Sequence, residues 1–432
     1  MTSRLVIRGA RTYGDVAVED GVITAVGDVP AEPGDRVLDA DGDILTAGFV
    51  NTHHHLYQWA TRGRAVDDGL FGWLTTLYPV WNSLDPDDVH AAALVGLAEL
   101  AMTGCTTAAD HHYLVPRGDD SVFDRIAAAA RQVGIRAHVA RGSMDLGESQ
   151  GGLPPDGVVE ETDAILASTQ SVFERLHDGD RIVVTVAPCS PFTVTPRLMQ
   201  ESADLARRLG TQLHTHLCET LDEERDTLAR YGRRPLDLVA EWGWIGDDVW
   251  FAHGIHFDDA EVARLGATGT GVAHCPSSNA RLASGFCRVS DLVAAGAPVG
   301  LGVDGVASNE SGSLFTELRQ ALFTGRQRTG DATSMTCAQV LDLATRGGAR
   351  ALGRDDVGAV AVGLKADLAI WAGEDVQDVP DPVAALVLGP DKRVKHLLVD
   401  GEFVVQDGEL LGVDLAAARA DLARLARRLW DL

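Results

Sequence analysis

The sequence contains no apolar run long enough to cross a bilayer, which takes about 20 consecutive apolar residues in a helix. Its N-terminal stretch, MTSRLVIRGARTYG, alternates like a strand and lacks the apolar core of a signal peptide, so a cytoplasmic location is expected. Cysteine is sparse and scattered. Cys105, Cys189, Cys218, Cys275, Cys287 and Cys337 show no C-x-x-C spacing, which argues against a disulfide framework or a thiolate zinc site and for free thiols in a reducing compartment. Positive charge is in short supply: 37 Lys and Arg face 63 Asp and Glu, a formal net charge of −26. Such a surface repels phosphates, so no nucleic-acid partner is expected, and the acidity reads as a solubility feature. Apolar residues are not lacking. At 45% they exclude a disordered chain, and 432 residues suffice for a large core and more than one domain.

Residues 1–47 read as short strands with turn signals (RLVIRGA, GDVAVEDGVITAVGD, DADGDIL). From residue 48 short apolar runs alternate with helical stretches. The runs are 48–53, 105–110, 135–140, 181–187, 211–216, 249–253, 270–274 and 298–304. Helical patterns between them include DPDDVHAAALVGLAELAMTG, SVFDRIAAAARQVG, ETDAILASTQSVFERLH, TPRLMQESADLARRLG and FTELRQALFTGRQ. Eight such units predict an α/β fold, a (β/α)₈ barrel over 48–356, with a doubly wound open sheet as the alternative. A further helix is expected near 336–352. Strand character returns over 357–412, with Asp400-Gly401 and Asp407-Gly408 as hairpin turns. Segments 1–47 and 357–412 are expected to form one small β-sandwich domain from both termini, and 413–432 a C-terminal packing helix.

Chemistry-bearing residues recur where these strands end. In Asn51-Thr52-His53-His54-His55, residues i and i+2 of an extended chain face one side, so His53 and His55 can aim at one point while His54 looks away. Alone, H-x-H is weak evidence. The fifth run, however, ends in His214-Thr215-His216-Leu217-Cys218-Glu219, the sixth in His253 and the eighth in Asp304. Barrel enzymes build their sites at the carboxyl ends of the strands, and imidazoles with a carboxylate suit a divalent first-row ion.

GFVNTHHH, HTHLCE, FAHGIH and GVDGVASN resemble the amidohydrolase superfamily, in its mononuclear deaminase branch; the resemblance spans nearly the whole chain, including VGLKADLAIW. It implies His53, His55, His216 and Asp304 as ligands of one divalent metal, most simply zinc, with iron open. It implies Glu219 as the acid/base, Asp304 as a second proton acceptor and His253 as the contact to water or substrate. Ala47-Gly48 replaces the usual Pro-Gly, and RIVVTVAPCS has no lysine to bridge a second metal, which disfavours a binuclear centre. Such a metal draws the pKa of water from about 15.7 towards 7, which suits hydrolytic release of ammonia.

HHHLYQ, YPVWNSLDPD, GCTTAADHHYLVP, APCSPFTVT and HCPSSNARLASG further resemble the subgroup of 8-oxoguanine deaminases and relatives acting on isocytosine, pterins or hydroxy-triazines. The implied partner is a small heterocycle, 8-oxoguanine first and isocytosine next. Triazine hydrolysis and pterin or guanine deamination stand as alternatives, a non-catalytic scaffold as a remote one, and a homo-oligomer is implied by the relatives. Gln58 is either an amide contact to the ring edge or an ordinary loop amide. Trp81 is either a stacking surface or core. His111 is a substrate contact or a hydrogen-bond partner near the metal, Cys189 packs in the pocket, and Asn279 lines its mouth. Asn309 is expected to brace the loop after Asp304. Arg62, Arg64 and Asp67 mark either a lid or a solvated loop.

Overall fold

The computed structural model describes residues 4–115 and 118–432. Residues 1–3 of the expected N-terminal β segment, and Pro116 at the end of GCTTAADHHYLVP, lie outside the described residues.

Eight parallel strands close into a barrel. In chain order they are Phe49–Asn51, Cys105–His112, Arg136–Ser143, Ile182–Pro188, Leu213–Leu217, Val249–His253, Gly271–His274 and Val299–Leu301. Leu301 pairs with Asn51 and shuts the ring, which rules out the open doubly wound sheet. All eight expected strands are present in the expected order, with ends shifted by at most three residues. Every residue of the second and third strands is buried, because one face packs on helices and the other fills the barrel.

The helices start and stop where local chemistry dictates. Pro86–Met102 opens on Pro86 with reciprocal Asp85 and Asp88 bonds, and Ser121–Val133 ends at Gly134 in the left-handed region (φ 92°). The helix expected near 336–352 is present as Cys337–Asp342, a wide turn Leu343–Gly347 and Gly348–Ala351. Leu70–Trp81 is an additional helix, not among the expected elements. Its buried residues Trp73, Leu74, Leu77, Tyr78 and Trp81 recur at helical spacing, and Leu70, Trp73, Leu74 and Tyr78 roof a cavity.

A four-stranded sheet (Leu5–Ala10, Gly14–Glu19, Val22–Gly27, Arg36–Asp39) faces a five-stranded one. In the second sheet Ile44–Ala47 pairs antiparallel with Leu368–Trp371, so both ends of the chain build it. Leu5, Ile7, Val16, Leu45, Leu368 and Leu398 form the core of this sandwich. The expected turns are there: Asp400-Gly401 and Asp407-Gly408 all have positive φ, as a tight hairpin with two left-handed residues requires. Leu415–Trp430 packs on Pro86–Met102, burying Ala418, Leu422, Leu425 and Leu429. No helix among the described residues is long and apolar enough to cross a membrane.

Candidate active site

The first and eighth strands continue past the ring as a two-residue ladder in which Asp304 pairs with His54 and Gly305 with His55. That register sets Asp304 beside the H-x-H segment. Asp304 Oδ1 lies 3.4 Å from His53 Nε2 and 3.2 Å from His55 Nε2. His216, from the end of the fifth strand, places its Nε2 3.1 Å from His55 Nε2. His54 turns away, its Nδ1 accepting from the His55 amide.

Four hydrogen bonds fix which nitrogen of each ring is bare. His55 Nδ1 donates to the His111 carbonyl at 2.6 Å, and His216 Nδ1 to the Cys189 carbonyl at 2.7 Å. His53 Nδ1 faces His214 Nε2 at 2.8 Å, and His214 Nδ1 faces the Trp250 carbonyl at 2.9 Å. A carbonyl only accepts, so His214 carries its proton on Nδ1 and receives one from His53 on Nε2. Burial pushes His214 down to about 3, which keeps this ring neutral. All three ligand candidates therefore turn an Nε2 lone pair inward. His53 Nε2 is buried without a hydrogen-bond partner, and two bare nitrogens 3.1 Å apart repel unless a cation lies between them. This donor set fits a divalent metal held by His53, His55, His216 and Asp304. Burial holds His53 and His216 well below 6.5, with the neighbouring imidazoles adding to it and Asp304 opposing it. Burial alone would raise Asp304, but the surrounding imidazoles, His53 and His55 first, bring it well below 3.8.

The other carboxylate oxygen is occupied. Ser278 Oγ donates to Asp304 Oδ2 at 2.6 Å and Ser308 Oγ at 3.2 Å. His253 sits behind Asp304, its Nε2 3.7 Å from Glu219 Oε2 and 4.0 Å from Asp304 Oδ2. Its Nδ1 donates to Asn279 Oδ1 at 3.0 Å. Burial opposes a charge on His253, yet Glu219 and Asp304 outweigh it and raise its pKa. Burial likewise raises Glu219, a setting suited to moving a proton near neutral pH. Cys218, His253 and Asp304 all have φ between 54° and 72°, so the site keeps three non-glycine residues in the left-handed region.

These groups form one wall of a cavity of about 410 Å³ including its mouth. Leu70, Trp73, Leu74 and Tyr78 roof it from the additional helix, and Tyr113, Phe192 and Leu282 complete the apolar wall. Cys189 borders the cavity, and burial pushes its thiol up to about 12, so it is a neutral group there. The other expected substrate contacts stand one layer back. Gln58 Oε1 accepts from the Ala307 amide, and Gln58 packs so closely on Gly305 that a Cβ there would come within 1.8 Å of it. Trp81 Nε1 donates to Thr61 Oγ1 and the ring packs against Tyr57, Trp73 and Tyr78. His111 donates from Nε2 to the Ala187 carbonyl, and Asn279 reaches the site through His253. Asn309 braces the loop as expected, donating to the Val303 carbonyl and to Glu317. Arg64 is tied to the Leu429 carbonyl and stacks on Trp430.

Sequence reasoning passed over His214, Ser278 and Ser308 as individual residues. Their signal was their place in HTH, PSSN and VASN, next to residues already singled out.

Comparison with known proteins agrees with this geometry. The model of the amidohydrolase family matches residues 44–404. The chain is 48% identical over 419 residues to the 8-oxoguanine deaminase of Pseudomonas aeruginosa, covering 95% of this chain and 93% of that one. It is 38% identical to the hydroxydechloroatrazine ethylaminohydrolase of Pseudomonas sp. strain ADP, over 95% and 89%. The crystal structure of atrazine chlorohydrolase from Arthrobacter aurescens TC1 complexed with zinc superposes with a TM-score of 0.92 at 30% identity, over 98% and 100%. With a closed barrel, a strand-end histidine and carboxylate set, and a match running from the first sandwich strand of the second sheet to the last hairpin, the chain belongs to the amidohydrolase family.

Proposed function

We propose that the protein is a metal-dependent aminohydrolase that releases ammonia from an aminated nitrogen heterocycle, with 8-oxoguanine as substrate and urate as product, and isocytosine as a second substrate. The observation that carries the reading is the convergence of three bare imidazole Nε2 atoms and Asp304 Oδ1 on one wall of a largely apolar cavity, with Glu219 and His253 beside them. The choice of 8-oxoguanine over a triazine rests on 48% against 38% and 30% identity.

His53, His55, His216 and Asp304 hold the metal in this proposal. Zinc is the ion chosen, since the similar atrazine chlorohydrolase carries it, although three imidazoles and a carboxylate also accommodate iron. When bound, such an ion acidifies water to a pKa of about 7. The chain's own residues do the rest. Glu219 takes a proton from the attacking water and passes it to a ring nitrogen, which makes the aminated carbon electrophilic. His253, oriented by Asn279, donates from Nε2 towards the oxygen that adds. Asp304 accepts the remaining hydroxyl proton and returns it to the departing amine. One C–O bond forms, one C–N bond breaks, and a ring carbonyl and ammonia result. Trp73, Tyr78, Tyr113 and Phe192 clasp the flat ring and exclude bulk water, with Cys189 at its edge. Gln58, Trp81 and His111 act by holding the wall and the ligands in place.

A panel of 8-oxoguanine, isocytosine, guanine, pterins and hydroxy-triazines, read by ammonia release, tests the substrate. Turnover of 8-oxoguanine with the highest kcat/KM is expected, and no turnover of any amino-substituted ring overturns the proposal. Glu219→Gln should lose about 10²–10⁴-fold in kcat with metal retained, the usual contribution of a positioned proton carrier. A cytoplasmic location, supported by six free thiols, and assembly with copies of itself complete the proposal.

A further inference from the structure

Thr220-x-x-Glu223 opens the helix Leu221–Tyr231 with the spacing of a capping box. The same spacing opens the helices Pro86–Met102, Asp259–Thr268 and Cys337–Asp342, and there both reciprocal bonds form. At this helix only half of the box is made. Thr220 Oγ1 accepts from the Glu223 amide, but the Glu223 carboxylate bypasses the Thr220 amide and reaches further back. Its Oε1 accepts from the Cys218 amide and its Oε2 from the Glu219 amide, each at 3.0 Å. Glu223 is 1% exposed and makes no ion pair among the described residues. Burial pushes the Glu223 carboxyl up to about 8 against the two amides that favour its charge, so an acid here is costly, and a glutamine would cap the helix without that cost.

What the carboxylate holds is the peptide that carries Glu219. Cys218 sits at φ 54°, and its carbonyl is taken from the other side by the Ile255 and His256 amides at 2.9 and 3.0 Å. The unit is thus gripped by Glu223 through two N–H groups and by the loop after the sixth strand through one carbonyl. That loop follows directly on His253, so the grip also fixes the spacing of Glu219 and His253.

We infer that Glu223 is a positioning residue for the reaction: its carboxylate fixes the left-handed Cys218–Glu219 turn and so aims the Glu219 carboxyl at the substrate. The inference rests on Glu219 being the proton carrier proposed above. A carboxyl group is required because each of its two oxygens can accept from one of the amides. A glutamine accepts from one and turns its NH₂ on the other.

The test compares wild type, Glu223→Gln, Glu223→Asp, Thr220→Ala and Glu219→Gln with the best substrate of the panel. Glu223→Gln should lower kcat about 10–100-fold, the scale of a misplacement near 1 Å, while KM and bound metal stay at wild-type levels. Glu223→Asp, too short to reach both amides, should fall by a similar factor and serves if the glutamine variant does not fold. Thr220→Ala breaks the ordinary half of the cap and should lower Tm without lowering kcat. A wild-type kcat in either Glu223 variant overturns the inference, as does a kcat loss matched by loss of metal or by an equal shift in KM. If Glu219→Gln is inactive while Glu223→Gln is not, only the positioning role falls. If Glu219→Gln retains full turnover, the proton-carrier reading falls and the positioning role with it.

Discussion

At the scale of the residue, the site is a problem of proton placement on nitrogen. Two of the three histidines proposed as ligands are set by backbone carbonyls, which cannot change their role as acceptors. The third, His53, leans on His214, a ring that can act either way and is itself set by the Trp250 carbonyl. Trp250 also stacks on His214 at 4.3 Å and donates its indole N–H to the carbonyl of Thr52, the residue before His53. One tryptophan therefore orients the relay and its end point. His214→Leu leaves His53 Nδ1 without its acceptor and frees the ring to carry its proton on Nε2. Metal affinity should fall about 10–100-fold, as measured by competition with a chromogenic chelator on the folded apoprotein. His214→Gln, which keeps an acceptor within reach, should recover most of that loss. Equal affinity in the leucine variant would mean that something other than His214 sets the His53 tautomer.

At the scale of the element, strand ends supply the chemistry and one helix supplies the enclosure. The strand ends were legible because apolar runs stopping on His or Asp are rare unless the polar group has a use inside the barrel. The helix Leu70–Trp81 was not among the expected elements: Trp73, Leu74, Leu77, Tyr78 and Trp81 do recur at helical spacing, but Gly69, Gly72 and Pro79 are residues that ordinarily break a helix. It nevertheless provides Leu70, Trp73, Leu74 and Tyr78 to the cavity, and Trp73 Nε1 donates to the Ala307 carbonyl at 2.9 Å, tying the roof to the loop after Asp304. Trp73→Ala removes both the wall and the tie. KM for the heterocycle should rise about tenfold or more, since an aromatic contact contributes roughly 0.5–1.5 kcal/mol beyond the area it buries. Steady-state kinetics at saturating metal would show this, and an unchanged KM would place the ring away from the roof.

At the scale of the whole molecule, the sandwich and the barrel are joined through a buried charge at the end of the barrel opposite the site. Arg136 opens the third strand and is fully buried. It donates to Asp367 at 2.8 and 3.1 Å and also pairs with Asp180 and Asp400, so barrel and sandwich carboxylates meet on one guanidinium. Lys365 and Arg354 reach Asp180 from the same side. Removing one partner of such a cluster leaves buried charge uncompensated. Arg136→Leu should cost about 3–5 kcal/mol in unfolding free energy by denaturant titration, with the metal site intact in the folded fraction. A loss under about 1 kcal/mol, the range of exposed pairs, would show that the junction does not depend on this charge.

The sequence by itself determined the barrel, because apolar periodicity is local and repeats eight times, and strand-end placement drew attention to His53, His55, the His214–Glu219 segment, His253 and Asp304, from which the family resemblance singled out His216 and Glu219. Only the tertiary structure decided which residues meet. The ladder between the first and eighth strands brings Asp304 to the histidines across some 250 positions. It also set Ser278 and Ser308 on Asp304, placed His214 behind His53, diverted Glu223 to the Glu219 peptide and moved Gln58 and Trp81 one layer back from the cavity. The physical reason is one of range. Hydrophobic pattern and capping act over a few residues, whereas the direction of a hydrogen bond and the wall of a cavity depend on chain segments that become neighbours only when the barrel closes.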